Sequence, residues 1–173
     1  MIITLPHPAI TARYTIIFLL FLLNLAGNSH ANNAGKLKVG ITSSLNKVFQ
    51  TRPFNFQGSY TNQAEIELAR NEYESTQIVL FPETDFSDIK INISPLTHEN
   101  NIDIIDPDNI QLNPIGYVNL QQGQKSKGRQ GFHPDVLLPN QVFDLHANIP
   151  QPILLTVYAP TGSTPGLDRK SVV

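Results

Sequence analysis

The sequence has no cysteine. Disulfides, thiolate metal sites, a thiol nucleophile and a lipid-modified cysteine behind a leader are therefore excluded, and stability has to come from a buried core. Tryptophan is also absent, and the five tyrosines and nine phenylalanines read mostly as strand residues. That scarcity weakens lectin-like binding, which needs aromatic rings on an exposed face. Charge of one sign is missing too: the net charge of -2 supplies no basic face for phosphates, so nucleic acid is not an expected partner. No helical period, internal repeat or low-complexity tract is visible. What the chain does have is proline and glycine, thirteen and ten among 173 residues, spread through the body as turn formers rather than gathered in one tract.

At the N-terminus Arg13 precedes an apolar run over residues 16–25, broken by Asn24, and Ser29-His30-Ala31 follows with small residues where a signal peptidase reads. The run is shorter than the ~20 residues that cross a bilayer. Residues 1–31 are therefore expected to be a cleaved signal peptide, with export to the periplasm, cell surface or medium of a bacterium and no membrane attachment after cleavage. Residues 32–59 read as an N-terminal extension with a first strand, and residues 60–167 as the folded body.

In that body Ile66 and Leu68 alternate with Glu65 and Glu67, and Ile89, Ile91 and Ile93 alternate with Lys90 and Asn92, the period of half-buried strands. Ile78-Val79-Leu80-Phe81 and Ile153-Leu154-Leu155, running on into Val157-Tyr158, are apolar at both parities, as expected of strands covered on both faces. Another strand runs from Ile110 through Tyr117 and Val118, with Pro114 marking a bend, bulge or edge because it cannot donate to a ladder. Turn signals at Ala69-Arg70-Asn71, Pro82-Glu83-Thr84-Asp85, Asp106-Pro107-Asp108-Asn109 and Pro160-Thr161-Gly162 separate the runs. The expected fold is all-β, an antiparallel β-sandwich of immunoglobulin-like or jelly-roll-like type. The polar stretch 121–131, with Lys125, Lys127 and Arg129, reads as a mobile surface loop.

No spacing stands out as catalytic. Glu65, Glu67, Glu72, Glu74 and Asp135 supply carboxylates, but a glycosidase pair must face across a cleft with one member buried, and sequence spacing does not show that. His98, His133 and His146 lie too far apart in sequence to form a local metal motif, so no metal and no cofactor is expected. Ser43, Ser44 and Ser75 lie in no nucleophile elbow, and there is no glycine-rich phosphate loop. Two local groupings are more specific. In Arg70-Asn71-Glu72-Tyr73-Glu74 an Asn that tolerates a left-handed backbone feeds the strand of Ile78; parity puts Tyr73, Ser75 and Gln77 on one face, where a half-buried Gln77 requires a partner. In Pro134-Asp135-Val136-Leu137-Leu138-Pro139 two prolines bracket an apolar plug, and Asp135 is placed to accept a main-chain bond just ahead. Both read first as scaffold, with Glu74 and Asp135 the candidate ligand contacts.

Taken with Gly116-Tyr117-Val118, Gln151-Pro152-Ile153, Val157-Tyr158-Ala159-Pro160 and Pro165-Gly166, these pieces fall in an order that resembles the N-terminal β-sandwich of glycoside hydrolase family 123 across roughly residues 60 to 167. The resemblance marks Asn71, Glu72, Tyr73, Gln77, Pro134, Leu137, Leu138 and Pro139 as scaffold motif. It also implies a following TIM-like barrel, in which an adjacent Asp-Glu pair cleaves N-acetylgalactosaminides with help from the substrate. No position in this chain matches that pair. Gly131-Phe132-His133 departs in detail from the family's aromatic and glycine before the Pro-Asp motif. Asp168-Arg169-Lys170-Ser171-Val172-Val173 reads as a translated sequencing adapter, so residues 168–173 are expected to be an artefact on a longer protein.

The expected function is that of a non-catalytic accessory domain of an exported N-acetyl-β-galactosaminidase-like glycoside hydrolase. Its principal partner is a downstream catalytic domain of the same protein, and a glycan is the second expected partner. The alternative is a stand-alone secreted carbohydrate-binding or adhesion module, which requires sugar-stacking aromatics on an exposed face.

Overall fold

The computed structural model describes residues 13–14, 37–50, 54–93, 95–98, 104–120, 131–164 and 168–169. Twelve strands occur among them: β1 (Arg13–Tyr14), β2 (Leu37–Ser43), β3 (Ile66–Glu67), β4 (Glu72–Pro82), β5 (Phe86–Ile89), β6 (Leu96–His98), β7 (Ile104–Ile105), β8 (Ile110–Leu120), β9 (Gly131–Leu137), β10 (Phe143–Leu145), β11 (Gln151–Ala159) and β12 (Asp168–Arg169). The one helical element among these residues is a single 3-10 turn, Pro107–Asn109, capped by the Asp106 carboxylate, which accepts from the Asp108 amide. The chain is thus all-β, as its composition implied. The apolar run 16–25 and the expected cleavage position after Ala31 lie outside the described residues, as does the basic stretch 121–130.

Five strands form the main sheet in the order β2-β4-β11-β8-β9, every pair antiparallel. Shorter ladders join β10 to β5, β6 to β7 and β12, and β1 to β3. One face of the main sheet carries Ile78 and Leu80 from β4, Ile153, Leu155, Val157 and Ala159 from β11, and Ile110 and Leu112 from β8. Phe86, Ile89, Leu96, Ile105 and Leu145 from the short strands, with Ala64, Ile66 and Leu68, close that face into one buried cluster. Glu65 and Glu67 remain in solvent beside buried Ile66 and Leu68, so the alternation read from the sequence holds although the strand there is only two residues long.

The second face explains the doubly apolar strands. From Thr76 to Leu80 every residue of β4 is buried, Val79 completely. Its cover comes from residues 44–50 and 54–60, which fold back over the sheet. Phe56 packs edge-on against Phe81 at 5.1 Å, and Tyr60 lies 5.3 Å from Phe81 with Lys38 over its ring. Ile41 and Ser59 exchange backbone bonds of 2.9 Å, so this segment also covers the outer edge of β2. A Cβ on Gly40 would stand 2.6 Å from the Phe56 ring and one on Gly58 2.3 Å from the Ile41 carbonyl, which is why these two positions are glycine.

Proline is handled inside the sheet rather than only at its rim. The β8–β11 ladder stops at Pro114 opposite Ile153, and the β8–β9 ladder starts at the next residue. The Gln151 side-chain amide then donates to the Ile115 carbonyl at 3.0 Å, satisfying an acceptor just past the end of the β8–β11 ladder. A register irregularity at Gly116 and Tyr117 follows, so the expected bulge lies two residues past the proline.

Candidate functional site

The Asn71 motif is a latch. Asn71 adopts φ 60°, the left-handed backbone its side chain tolerates, and its amide donates to the Ala159 carbonyl at 2.6 Å. Its Oδ1 accepts from the Tyr158 hydroxyl at 2.8 Å. The Glu72 carboxylate takes the Ala69 amide at 2.5 Å, and the Arg70 Nε donates to the Ser163 carbonyl at 2.7 Å. Residues 69–72 and 158–163, far apart in sequence, are thereby locked together at one end of the β4–β11 ladder.

Gln77 is more deeply buried than expected, only 2% exposed. Its Nε2 donates toward the carbonyls of Asn46, Ser43 and Ser44 at 2.7, 2.9 and 3.1 Å, and so pins the start of the segment that covers the sheet. Beside it the Asn46 amide binds Thr42 Oγ1 and the Gln57 carbonyl, and Thr42 Oγ1 donates to that same carbonyl. Tyr117 ties down the same part of the segment by donating to the Val48 carbonyl at 2.8 Å, and burial raises the pKa of its hydroxyl.

The Pro-Asp motif departs from its expected shape. Pro134 is buried, but Asp135, Val136, Leu137, Leu138 and Pro139 are all exposed, Leu137 by 52%. The apolar plug is therefore an exposed edge. β9 lies at the border of the sheet with no outer neighbour among the described residues, so both faces of its C-terminal half meet solvent. The Leu138 amide donates to the Pro114 carbonyl at 2.8 Å and the Asn113 amide holds the Leu138 carbonyl at 3.0 Å, so this segment is anchored through its backbone, with the Leu138 side chain lying against Gly116.

Glu74 and Asp135 are not brought together. Glu74 sits on β4 and Asp135 on β9, with β11 and β8 between them. The registers put them about 14 Å apart across the strands and about 20 Å along them, too far to share a scissile bond. Glu65, Glu67 and Glu72 are exposed as well. His133 meets Phe49 edge-on at 5.3 Å, and His146 accepts a turn bond through its carbonyl from Ile149. No group of three or more His, Asp or Glu able to hold a metal occurs among the described residues.

One surface was not legible from sequence. On the face that carries Gln77, beyond the end of the covering segment, Tyr73 and Tyr158 stack with centroids 4.4 Å apart and 24° between ring planes. Tyr73 is 65% exposed despite lying in a strand. In the next row Ser75 and Thr156 share a 2.8 Å hydroxyl bond, and exposed Gln111 stands opposite Thr156. The only local hint was the parity of Tyr73 with Ser75; its pairing with Tyr158 depends on a register between distant strands.

A solved family 123 glycoside hydrolase from Clostridium perfringens, studied for glycolipid glycan hydrolysis, is similar at 16% identity and a TM-score of 0.49 over 56% of this chain and 17% of its own. This chain therefore matches less than a fifth of that enzyme's length. No curated protein matches it. Residues 43–173 match the family model described as the glycoside hydrolase 123 N-terminal domain, three quarters of the sequence, and the chain belongs to that family.

Proposed function

We propose that this chain is the non-catalytic accessory domain of an exported N-acetyl-β-galactosaminidase-like glycoside hydrolase, folded as an antiparallel β-sandwich, whose bond-breaking groups lie in a barrel elsewhere in the polypeptide. The observation that carries this reading is the family match over residues 43–173. The separation of the carboxylates supports it: Glu74 and Asp135 stand on strands three places apart, and neither is enclosed.

The exposed border at β9 suits the role of a domain that supports another. Val136 and Leu137, with Leu138 just past the strand's end, expose apolar side chains on a strand that still has backbone groups to offer, the type of edge that proteins keep covered. A following domain of the same protein is the partner this edge would take. The test is turnover: the purified chain is expected not to release aryl alcohol from an aryl N-acetyl-β-galactosaminide. Hydrolysis that disappears in Glu74→Gln or Asp135→Asn would overturn the proposal.

A further inference from the structure

We infer that the stacked tyrosines and the polar row beside them form a binding platform for a neutral saccharide, an assignment that rests on this surface and not on the accessory role proposed above. Three features carry it. The first is an aromatic face presented to solvent: Tyr73 is exposed while its other side is backed by Tyr158 at 4.4 Å. Ring faces are electron-rich and attract the weakly positive C–H bonds on the flat side of a pyranose.

The second is that the platform is held in place before any ligand arrives. Tyr158 is fixed by its hydrogen bond to Asn71 Oδ1, and Asn71 is itself fixed by its backbone bond to Ala159. Little side-chain freedom remains to be lost on binding, and that cost is what limits affinity at small flat sites. Two rows on three strands, β4, β11 and β8, span about 10 Å by 7 Å, sized for a monosaccharide or disaccharide.

The third is the chemistry of the neighbours. Ser75, Thr156 and Gln111 share the face with Tyr73 and Tyr158, and all five are uncharged donors or acceptors. Hydroxyls and one amide beside an aromatic ring are complementary to a polyol; an anionic or cationic ligand would find no counter-charge among these side chains. By contrast, the other tyrosine exposed among the described residues, Tyr60, packs its ring against Phe56 and Phe81 with Lys38 over it. It is the natural control.

The experiment is saturation-transfer difference NMR on this chain with methyl β-galactopyranoside and methyl β-glucopyranoside as probes. At least one of the two is expected to receive saturation, strongest at its ring C–H protons, with millimolar affinity. Tyr73→Ala is expected to weaken binding about tenfold and Gln111→Ala a few fold, with Tyr60→Ala binding as the parent does. Circular dichroism and melting of each variant separate loss of the platform from loss of the fold. No transfer to either glycoside at about 20 mM would overturn the assignment, since sites of this size bind in the millimolar range. Equal losses in folded Tyr73→Ala and Tyr60→Ala, or unchanged binding in Tyr73→Ala, would overturn it as well. Failure here leaves the turnover test untouched, because that test reads hydrolysis and this one reads contact.

Discussion

Strands β11 and β9 lie two places apart in one sheet, and both carry a branched apolar run: Ile153-Leu154-Leu155 in β11, and Val136-Leu137 in β9 continuing to Leu138. In β11 Ile153 and Leu155 are almost completely buried, whereas Val136, Leu137 and Leu138 are exposed. Composition does not separate them; position does. β11 has a neighbour on each side and a layer over its apolar face, while among the described residues β9 has β8 on one side only. An apolar run in the middle of a sheet builds the core, and the same run at the border remains available to something else.

The sharpest way to break this comparison is to truncate equivalent side chains in the two strands. Ile153→Ala is expected to cost about 3 kcal/mol, because it opens a cavity against Ile78 and Leu112 that the close-packed layer cannot collapse. Leu137→Ala should change stability by less than about 0.5 kcal/mol, as for surface positions generally. Urea melts of both variants check the pair; equal losses would mean that β9 is covered.

The second-largest effect belongs to Gln77, where the centre of the sheet meets its cover. Gln77→Leu keeps the volume but removes the donor shared by the Ser43, Ser44 and Asn46 carbonyls, leaving buried acceptors unsatisfied. A loss of about 2 kcal/mol is expected, together with faster proteolysis of residues 44–60. Asn71 should follow with about 1 kcal/mol. Asn71→Ala puts a Cβ residue without a local side-chain bond at φ 60° and also releases Tyr158, whereas Asn71→Gly restores the backbone and not the tyrosine bond. Melting temperatures of the two variants against the parent separate these contributions.

The sequence reading succeeded where the deciding physics is local. Alternation at Ile66 and Leu68, burial of β4 on both faces, the left-handed turn at Asn71 and the irregularity after Pro114 all follow from parity and backbone chemistry within a few residues, whereas the second face of β11 is only half-buried at Leu154, Thr156 and Tyr158. It failed where the outcome depends on strand order. Residues 134–139 look like an apolar plug until β9 is placed at the border, and the parity that puts Tyr73 on one face with Ser75 and Gln77 does not tell that the cover ends before it. The platform with Tyr158, Thr156 and Gln111 exists only through the register of β4, β11 and β8.

Tyr117 offers a smaller, pH-dependent test on the β8 side of the comparison. Burial raises its folded-state pKa, so the neutral hydroxyl is favoured by folding. Its contribution is complete below the ordinary tyrosine value near pH 10 and is lost as pH rises above that value, because the unfolded chain then gives up a proton that the folded chain retains. Stability should fall between about pH 10 and 11 by no more than ~1.4 kcal/mol per pH unit, and by less here because the ring is partly exposed. Tyr117→Phe should be less stable at neutral pH by the hydrogen bond to Val48, about 1 kcal/mol, and should show a shallower alkaline decline. A decline as steep as the parent's would place the titrating group elsewhere.

The smallest effect on stability carries the largest consequence for association. Val136 and Leu137 point to opposite faces of β9, opposite Gly116 and Ile115 of β8, so Val136→Lys with Leu137→Lys places a charge on each side of the border strand. Neither side chain lies in the core, and the melting midpoint should move by only a degree or two. Lysines on an edge strand oppose addition of another strand, so this chain should self-associate less than the parent as concentration is raised, measured by light scattering or sedimentation velocity. Val136→Ala with Leu137→Ala should fall between the two. If the lysine variant instead unfolds, or associates as readily as the parent, then the apolar border of β9 is supporting this domain's own fold rather than waiting for a neighbour.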